Sequence, residues 1–349
     1  MPTFIKLSLK KLIDLFQSMV LPLCSKTAFL SSFFYTFFSR DFYYEHQAIL
    51  KARLKYHRCK GLHGASSALL RRNIHRLEKG LIMRPRRSVF ALDYITETVD
   101  AFVRASKKTE FNPSELQWAS DVLNEYFNVV EHNEPRIKNS FAAFSLVFKE
   151  ICKDKKPYQQ RAKVHHDVSY KQLYALAQSR CSTRWFNQQS VELDKIKSAA
   201  LVASQAPSAC NRQPYQFHVI NEQPFLQTLS RLPGGTAGFA DNIPCLIAVV
   251  GDQSYYPFAR DRHVIYIDGS LASMQFMLAL ETLGLSSCPI NWPELYSLDK
   301  QVAKLLDLPQ YKRVVMFIAV GYADETGQIP FSDKKAANDL VIETNAKHI

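Results

Sequence analysis

No uninterrupted run of eighteen apolar residues occurs in this 349-residue chain, so no segment reads as a transmembrane helix. The seven cysteines (24, 59, 152, 181, 210, 245 and 288) form no Cys-x-x-Cys pair, and their number is odd. Both facts argue against a disulfide framework or a zinc site and for buried thiols in a reducing cytosol. The common catalytic signatures are missing too: no P-loop, no GxGxxG after a strand, no GxSxG elbow and no HExxH. Gly234-Gly235-Thr236-Ala237-Gly238 is glycine-rich, but it follows Pro233 and opens no clear helix, so it reads as a flexible loop. A Rossmann dinucleotide domain is thereby disfavoured. What is present is a globular composition, 47% hydrophobic and 22% charged, which excludes wholesale disorder.

The charge is unevenly placed. Residues 1–160 carry 26 Lys and Arg against 15 Asp and Glu, whereas residues 161–349 carry 18 against 17. The basic excess belongs to the N-terminal half, and the half that holds the chemical candidates is nearly neutral. That distribution argues against a nucleic-acid binder.

The first residues do not read as a signal peptide, because Asp14, Gln17 and Ser18 interrupt the apolar core one would need. Ile5, Leu9, Leu12, Phe16 and Met19 recur instead at helical spacing. An aromatic cluster from Phe29 to Tyr44 follows, and then Lys51, Arg53, Lys55, Arg58 and Lys60. Such a stretch suits either internal packing or an anionic membrane surface. Residues 66–82 form a further amphipathic helix with Leu69, Leu70, Ile74, Leu77 and Leu81 on one side. His75 and Glu78 share its other face without further metal-ligand residues nearby, so a solvated or salt-bridged face is expected and no metal site. Helical patterns over 91–130 and 138–152, punctuated by Pro113 and Pro135, complete a mainly α N-terminal region spanning 1–160. A Lys-, Gln- and His-rich linker at 153–168 separates it from a second region, 165–349.

The second region mixes helices with short strands and lacks regular βαβ alternation, which points to α+β. A helix over about 191–204 is capped by Ser190, and another runs from 264 to 283 and ends at Gly284. Strands fall at Tyr215–Val219, Cys245–Val250 and Arg313–Val320.

Three polar segments stand out. Ser179-Arg180-Cys181-Ser182-Thr183-Arg184-Trp185-Phe186 sets two guanidinium groups around hydroxyls, a grip suited to phosphate. In Ala206-Pro207-Ser208-Ala209-Cys210-Asn211-Arg212-Gln213-Pro214, two prolines fix the backbone while Asn211 and Gln213 offer amides that match the edge of a flavin or pyrimidine ring. Gly284-Leu285-Ser286-Ser287-Cys288-Pro289-Ile290-Asn291-Trp292 reads as a loop after the long helix.

In order and spacing these segments resemble the FMN-dependent nitroreductase family over about residues 176–335. The region around Asn73-Ile74-His75-Arg76-Leu77-Glu78-Lys79-Gly80 is similar to extensions on nitroreductase-like proteins of bacterial surface-polysaccharide gene clusters. The resemblance implies a small central antiparallel sheet flanked by helices, with a mainly helical N-terminal extension. It further implies that Arg180, Ser182 and Arg184 hold the FMN phosphate and ribityl chain, with Lys334 and Lys335 beside Ser332 completing that site. Pro207, Ser208, Asn211 and Gln213 would lie along the isoalloxazine ring, and Pro289, Ile290 and Asn291 would face its N5. Pro289 has no N–H, so an N5 donor would come from Ile290 or Asn291. Trp292 stands where many relatives have glycine, which implies a smaller or differently shaped space above the ring. Arg260-Asp261-Arg262-His263 is unusually charged, either an anion grip or a helix cap.

The expected protein is a homodimeric, cytoplasmic oxidoreductase that takes NAD(P)H and reduces a nitro or quinone acceptor. No side chain is compelled to act as acid or base, and His218 reads as a satisfied strand residue. The alternatives are a flavoenzyme of surface-polysaccharide synthesis, in peripheral contact with the inner face of a membrane or with that machinery, and a non-catalytic FMN-binding scaffold.

Overall fold

A computed structural model describes residues 19–39, 41–148, 155–160 and 163–344. The amphipathic helix expected from Ile5 lies outside them except for Met19. In the N-terminal half, helices α1 (Ala28–Phe37) and α2 (Tyr43–Cys59) lead into a two-stranded hairpin, β1 (Leu62–His63) and β2 (Ser66–Ser67). Helices α3 (Ala68–Leu81), α4 (Ile95–Ser106), α5 (Pro113–Val129) and α6 (Pro135–Ser145) follow. Local chemistry fixes their starts. The Ser67 hydroxyl accepts the Leu70 N–H, Asn112 caps Ser114 and Glu115, and Pro113 and Pro135 occupy first-turn positions where no N–H is needed. The apolar stripe of α3 (Leu70, Ile74 and Leu77) closes against Val99, Leu123, Tyr126 and Ile137 in one core drawn entirely from this half. His75 pairs with Glu78 at 3.5 Å, as a salt-bridged face requires.

The C-terminal half contains α7 (Tyr170–Ser179), α8 (Leu193–Ala203), β3 (Tyr215–Ile220), α9 (Phe225–Ser230) and β4 (Cys245–Asp252). It continues through α10 (Val264–Thr282), β5 (Ser286–Asn291), α11 (Tyr296–Leu305), β6 (Lys312–Gly321) and the short α12 (Ala337–Leu340). One antiparallel sheet has the order β3-β4-β6-β5. β4 is buried along its whole length, which explains its unbroken apolar run: Leu246, Ala248 and Val250 face one core while Cys245, Ile247 and Val249 face another. α10 fills the second core with Ala272, Phe276 and Leu280. It crosses β4 so closely that a Cβ at Gly251 would lie 2.8 Å from the Ile265 side chain.

Three expectations change. The segment at 284–292 is the edge strand β5, not a loop. Its proline, serine and asparagine content suggested irregular backbone, but an edge position tolerates a residue without an N–H. α8 starts after Glu192 rather than Ser190, and the Glu192 carboxylate is engaged by the Tyr322 hydroxyl. Within the glycine-rich stretch, Gly234–Thr236 is a 3-10 turn that buries Thr236, whose hydroxyl donates to the Pro233 carbonyl.

The halves are in contact. α2 lies on the C-terminal half, where the Lys51 ammonium donates to Gln310 and the Tyr44 ring covers the Arg313 guanidinium. The start of the linker folds back on α5 through Lys155 with Asp121 and Lys156 with Glu125.

Candidate active site

The loop between α8 and β3 has an unusual backbone. Cys210, Asn211 and Gln213 all adopt left-handed conformations, with φ of 54°, 50° and 50°. Each such non-glycine residue costs roughly 1–2 kcal/mol, least for asparagine. Specific bonds offset that cost. Asp268 of α10 accepts the Ala209 N–H at 3.1 Å and the Tyr256 hydroxyl at 3.0 Å. Ser208 Oγ accepts the Gln213 N–H, and the buried Arg212 guanidinium lies over the Tyr256 ring while donating to the Ala209 carbonyl. Burial pushes the Asp268 carboxyl up, and the Ala209 N–H and Tyr256 hydroxyl pull it back. The Gln213 side chain donates its own amide to the Ser204 carbonyl at 3.0 Å, so its oxygen is the part left facing outward contacts.

The first and third polar segments come together. Ser182 bridges Ser287 in parallel, and the Thr183 N–H donates to the Ser287 carbonyl at 3.1 Å. Ser182 and Thr183 thus lie on the outer edge of β5 at Ser287, and Phe186 pairs instead with Ala323, past the end of β6. Burial raises the Cys288 thiol, while Arg184, a bond from Ser182 and Arg180 lower it. Arg184 Nη1 donates to the Ser182 carbonyl at 3.3 Å, and its guanidinium lies 5.9 Å from the Phe239 ring. Arg180 is different. Its Nη1 is buried and has no hydrogen-bond partner among the described residues.

The direction of β5 resolves which backbone donor is open. The Ser287 carbonyl points away from β6, toward Thr183. With a period of two, Pro289 and Asn291 also present their backbone groups to the open edge, whereas Ile290 points its own at β6. The Asn291 N–H is the exposed donor. The side chains of Pro289 and Asn291 are exposed and that of Ile290 is buried.

Trp292 corrects an expectation. Its ring packs edge-on against Phe317 and its Nε1 donates to the buried Asp299 at 3.0 Å, so it is part of the core beneath the sheet and not a lid above a ring. Arg262 pairs with Glu45 at 3.7 Å and Arg260 lies over Phe258, so both charges have partners at the start of α10. Lys334 bonds the Ser332 carbonyl, and both Lys334 and Lys335 are exposed, without a described contact to Arg180 or Arg184.

Loop 206–214 and the Arg180 segment are not adjacent within one chain. The former is tied to Asp268 near the start of α10, and Arg180 lies beside Glu281 near its end. Those positions are about 20 Å apart along the helix.

A family model described as the nitroreductase family matches residues 177–232 and 221–322. Residues 177–322 are thus similar to the nitroreductase family. The match begins just before Arg180, so the helical N-terminal half lies outside it. The iodotyrosine deiodinase of Thermotoga neapolitana is 25% identical over 192 residues, 50% of this chain and 98% of its own length. An Archaeoglobus fulgidus protein that bears the name NADH dehydrogenase/NAD(P)H nitroreductase is 28% identical over 167 residues, covering 47% and 92% respectively. Among solved structures, an FMN-dependent nitroreductase from Clostridium difficile is similar at 25% identity and a TM-score of 0.43, over 49% of this chain and 99% of that one.

Two positioning residues of this half escaped sequence reading. Asp268 had a signal, as the one charged residue within the stretch 264–280. Tyr256 had none.

Proposed function

We propose that this chain is an FMN-dependent oxidoreductase that takes hydride from NAD(P)H and passes it to an electron-poor acceptor of nitro or quinone type. The observation that carries this reading is the Arg180 guanidinium N–H, unpaired among the described residues, in the segment that meets β5. Arg180 holds a buried guanidinium N–H without a partner, next to the Ser182 hydroxyl and Arg184, and a phosphate supplies the acceptors that such a group lacks. FMN, when bound, supplies reversible hydride transfer at its N5. Arg180, Ser182 and Arg184 hold the phosphate and ribityl chain. Pro207, Ser208, Asn211 and Gln213 border the ring, and Pro289, Ile290 and Asn291 form the strand it faces, with the Asn291 N–H as the donor. NAD(P)H and the acceptor use one opening in turn. Of the relatives, one is a deiodinase by name and the other an NADH dehydrogenase/NAD(P)H nitroreductase by name, and the second name supports a nicotinamide donor.

The functional unit in this reading is a homodimer. Ile267, Leu271 and Met274 make an apolar row on α10, 57%, 44% and 41% exposed, at positions i, i+4 and i+7. A second copy laid antiparallel on this row brings the loop of one chain to the arginines of the other, which one chain alone keeps about 20 Å apart. Lys334 and Lys335 would join the phosphate site only in such an assembly.

The purified protein is expected to be yellow, or to become so on adding FMN, and its visible band to bleach with NADH or NADPH without oxygen. A coloured protein left oxidised by both would sink the nicotinamide step. One that takes up no FMN would favour a non-catalytic scaffold.

One surface supports a second reading alongside the first. Phe29, Phe33, Phe37 and Phe38 of the α1 region are exposed, and the half that carries them holds nearly all of the basic excess. Such a face suits peripheral contact with anionic lipid, as a flavoenzyme working on lipid-linked polysaccharide intermediates would need. The protein is expected to float with vesicles containing anionic lipid and to stay behind with neutral ones. Equal behaviour with both would end this reading.

A further inference from the structure

Arg71 of α3 crosses from the helical N-terminal half to the loop that borders the ring in the FMN reading. Its Nε donates to the Asn211 carbonyl at 2.7 Å. The same guanidinium donates through Nη1 to Glu115 at 3.1 Å and lies over the Trp118 ring. Glu115 is buried, and it also accepts the Ser66 hydroxyl and the Ser67 N–H. Arg71 is therefore a donor clamped on two sides before it reaches the loop. Its target is the carbonyl of a left-handed residue, with Cys210 and Gln213 strained on either side. Backbone in that state persists only where the surroundings over-determine it. Asp268, Tyr256 and Arg212 fix the loop from the C-terminal half, and Arg71 fixes the Asn211 peptide from the opposite side.

We propose that Arg71 is a positioning residue for the cofactor site, through which the helical half holds the Asn211 peptide ready for the flavin ring. This inference rests on the FMN reading above. It assigns the N-terminal half a part in cofactor binding rather than a separate activity. Arg71 acts through the backbone of Asn211 and takes no part in the reaction itself.

The test is an FMN fluorescence titration of the full-length native protein, Arg71→Ala, Arg71→Lys and Glu115→Gln, with the visible band of bound flavin and the thermal midpoint recorded for each. Loss of one charge-assisted bond predicts about tenfold weaker FMN binding in R71A. A shifted flavin band is expected with it, because the ring's neighbours move. R71K should recover part of the affinity, since an ammonium lacks the planar fork that serves Asn211 and Glu115 together. E115Q, which loosens the clamp but keeps the guanidinium, is expected to lie between R71A and the native protein, and it carries the test with R71K should R71A not fold. Variants that melt earlier yet bind FMN with native affinity and an unchanged band would show Arg71 to be structural only and overturn the inference. A native protein that takes up no FMN would overturn the cofactor reading, and this inference with it.

Discussion

Arg180→Ala is expected to weaken FMN binding by about ten- to a hundredfold, more than any other single truncation in the β5 grip. A hydrogen bond to a charged group contributes about 1.5–3 kcal/mol, which converts to that range. Arg180 is singled out over Arg184 because of where its bonds go. Arg184 already donates to the Ser182 carbonyl, whereas Arg180 keeps a buried N–H without an acceptor among the described residues. A group left in that state in one chain is poised for an anion. Arg180→Lys should fall between the two, since an ammonium keeps the charge and loses the bidentate geometry. The loss should also be smaller in high salt, where the native grip is itself screened. Glu281 complicates the variant in a checkable way. Burial raises its carboxyl and Arg180 lowers it, so without Arg180 it rises further and tends toward the neutral form. Residual FMN binding in R180A should therefore improve as pH falls through that carboxyl's range. Fluorescence titrations at several pH values read both effects, and unchanged affinity in R180A would remove the phosphate grip from the site.

Arg313→Ala is expected to destabilise the fold by about 3–5 kcal/mol, with a fall in thermal midpoint on the order of 10 °C. Arg313 is 3% exposed and Asp299 4%, and they pair at 3.0 Å under the Tyr44 ring. Removing the guanidinium leaves Asp299 buried with only the Trp292 N–H for company. The sign of its pH dependence follows. Burial raises the Asp299 carboxyl, and Arg313 is the strongest influence pulling it back. In the variant the folded-state value climbs further above the unfolded one. Its stability is then highest below the unfolded value and is lost as pH rises through the folded one, so the deficit against the native protein should shrink on acidification. Replacing both partners by apolar residues, as in R313M with D299L, should cost less than R313A alone. Thermal melts across pH test this, and a deficit that grows toward acid would refute it.

How far the sequence discloses this molecule depends on the range of the interactions involved. β4 and β6 announce themselves because strands buried on both faces need continuous apolar runs. Pro113 and Pro135 mark breaks between helices because a proline acts on its own neighbours. The three polar segments are legible as chemistry because their residue types sit close together in the chain. β5 is hidden because its Ser-Ser-Cys-Pro-Ile-Asn composition is that of a turn, and only pairing with β6 makes it a strand. Trp292 is misjudged for a related reason. Whether a tryptophan faces the cofactor side or the core is decided by Asp299, seven residues on, and by Phe317 in another strand. The Arg71–Asn211 bond spans 140 residues and leaves no local trace.

The two-sidedness of β5 has an evolutionary consequence. Cys288 and Ile290 are tied to the core and can change only at the cost of packing. Pro289 and Asn291 project to the other side, exposed, on a strand whose fold is secured by its neighbours. Surface exchanges at such positions usually shift stability by no more than about 0.5 kcal/mol. Their side chains can drift while the backbone they carry stays fixed, so a lineage could acquire new acceptors there without first acquiring a more stable scaffold.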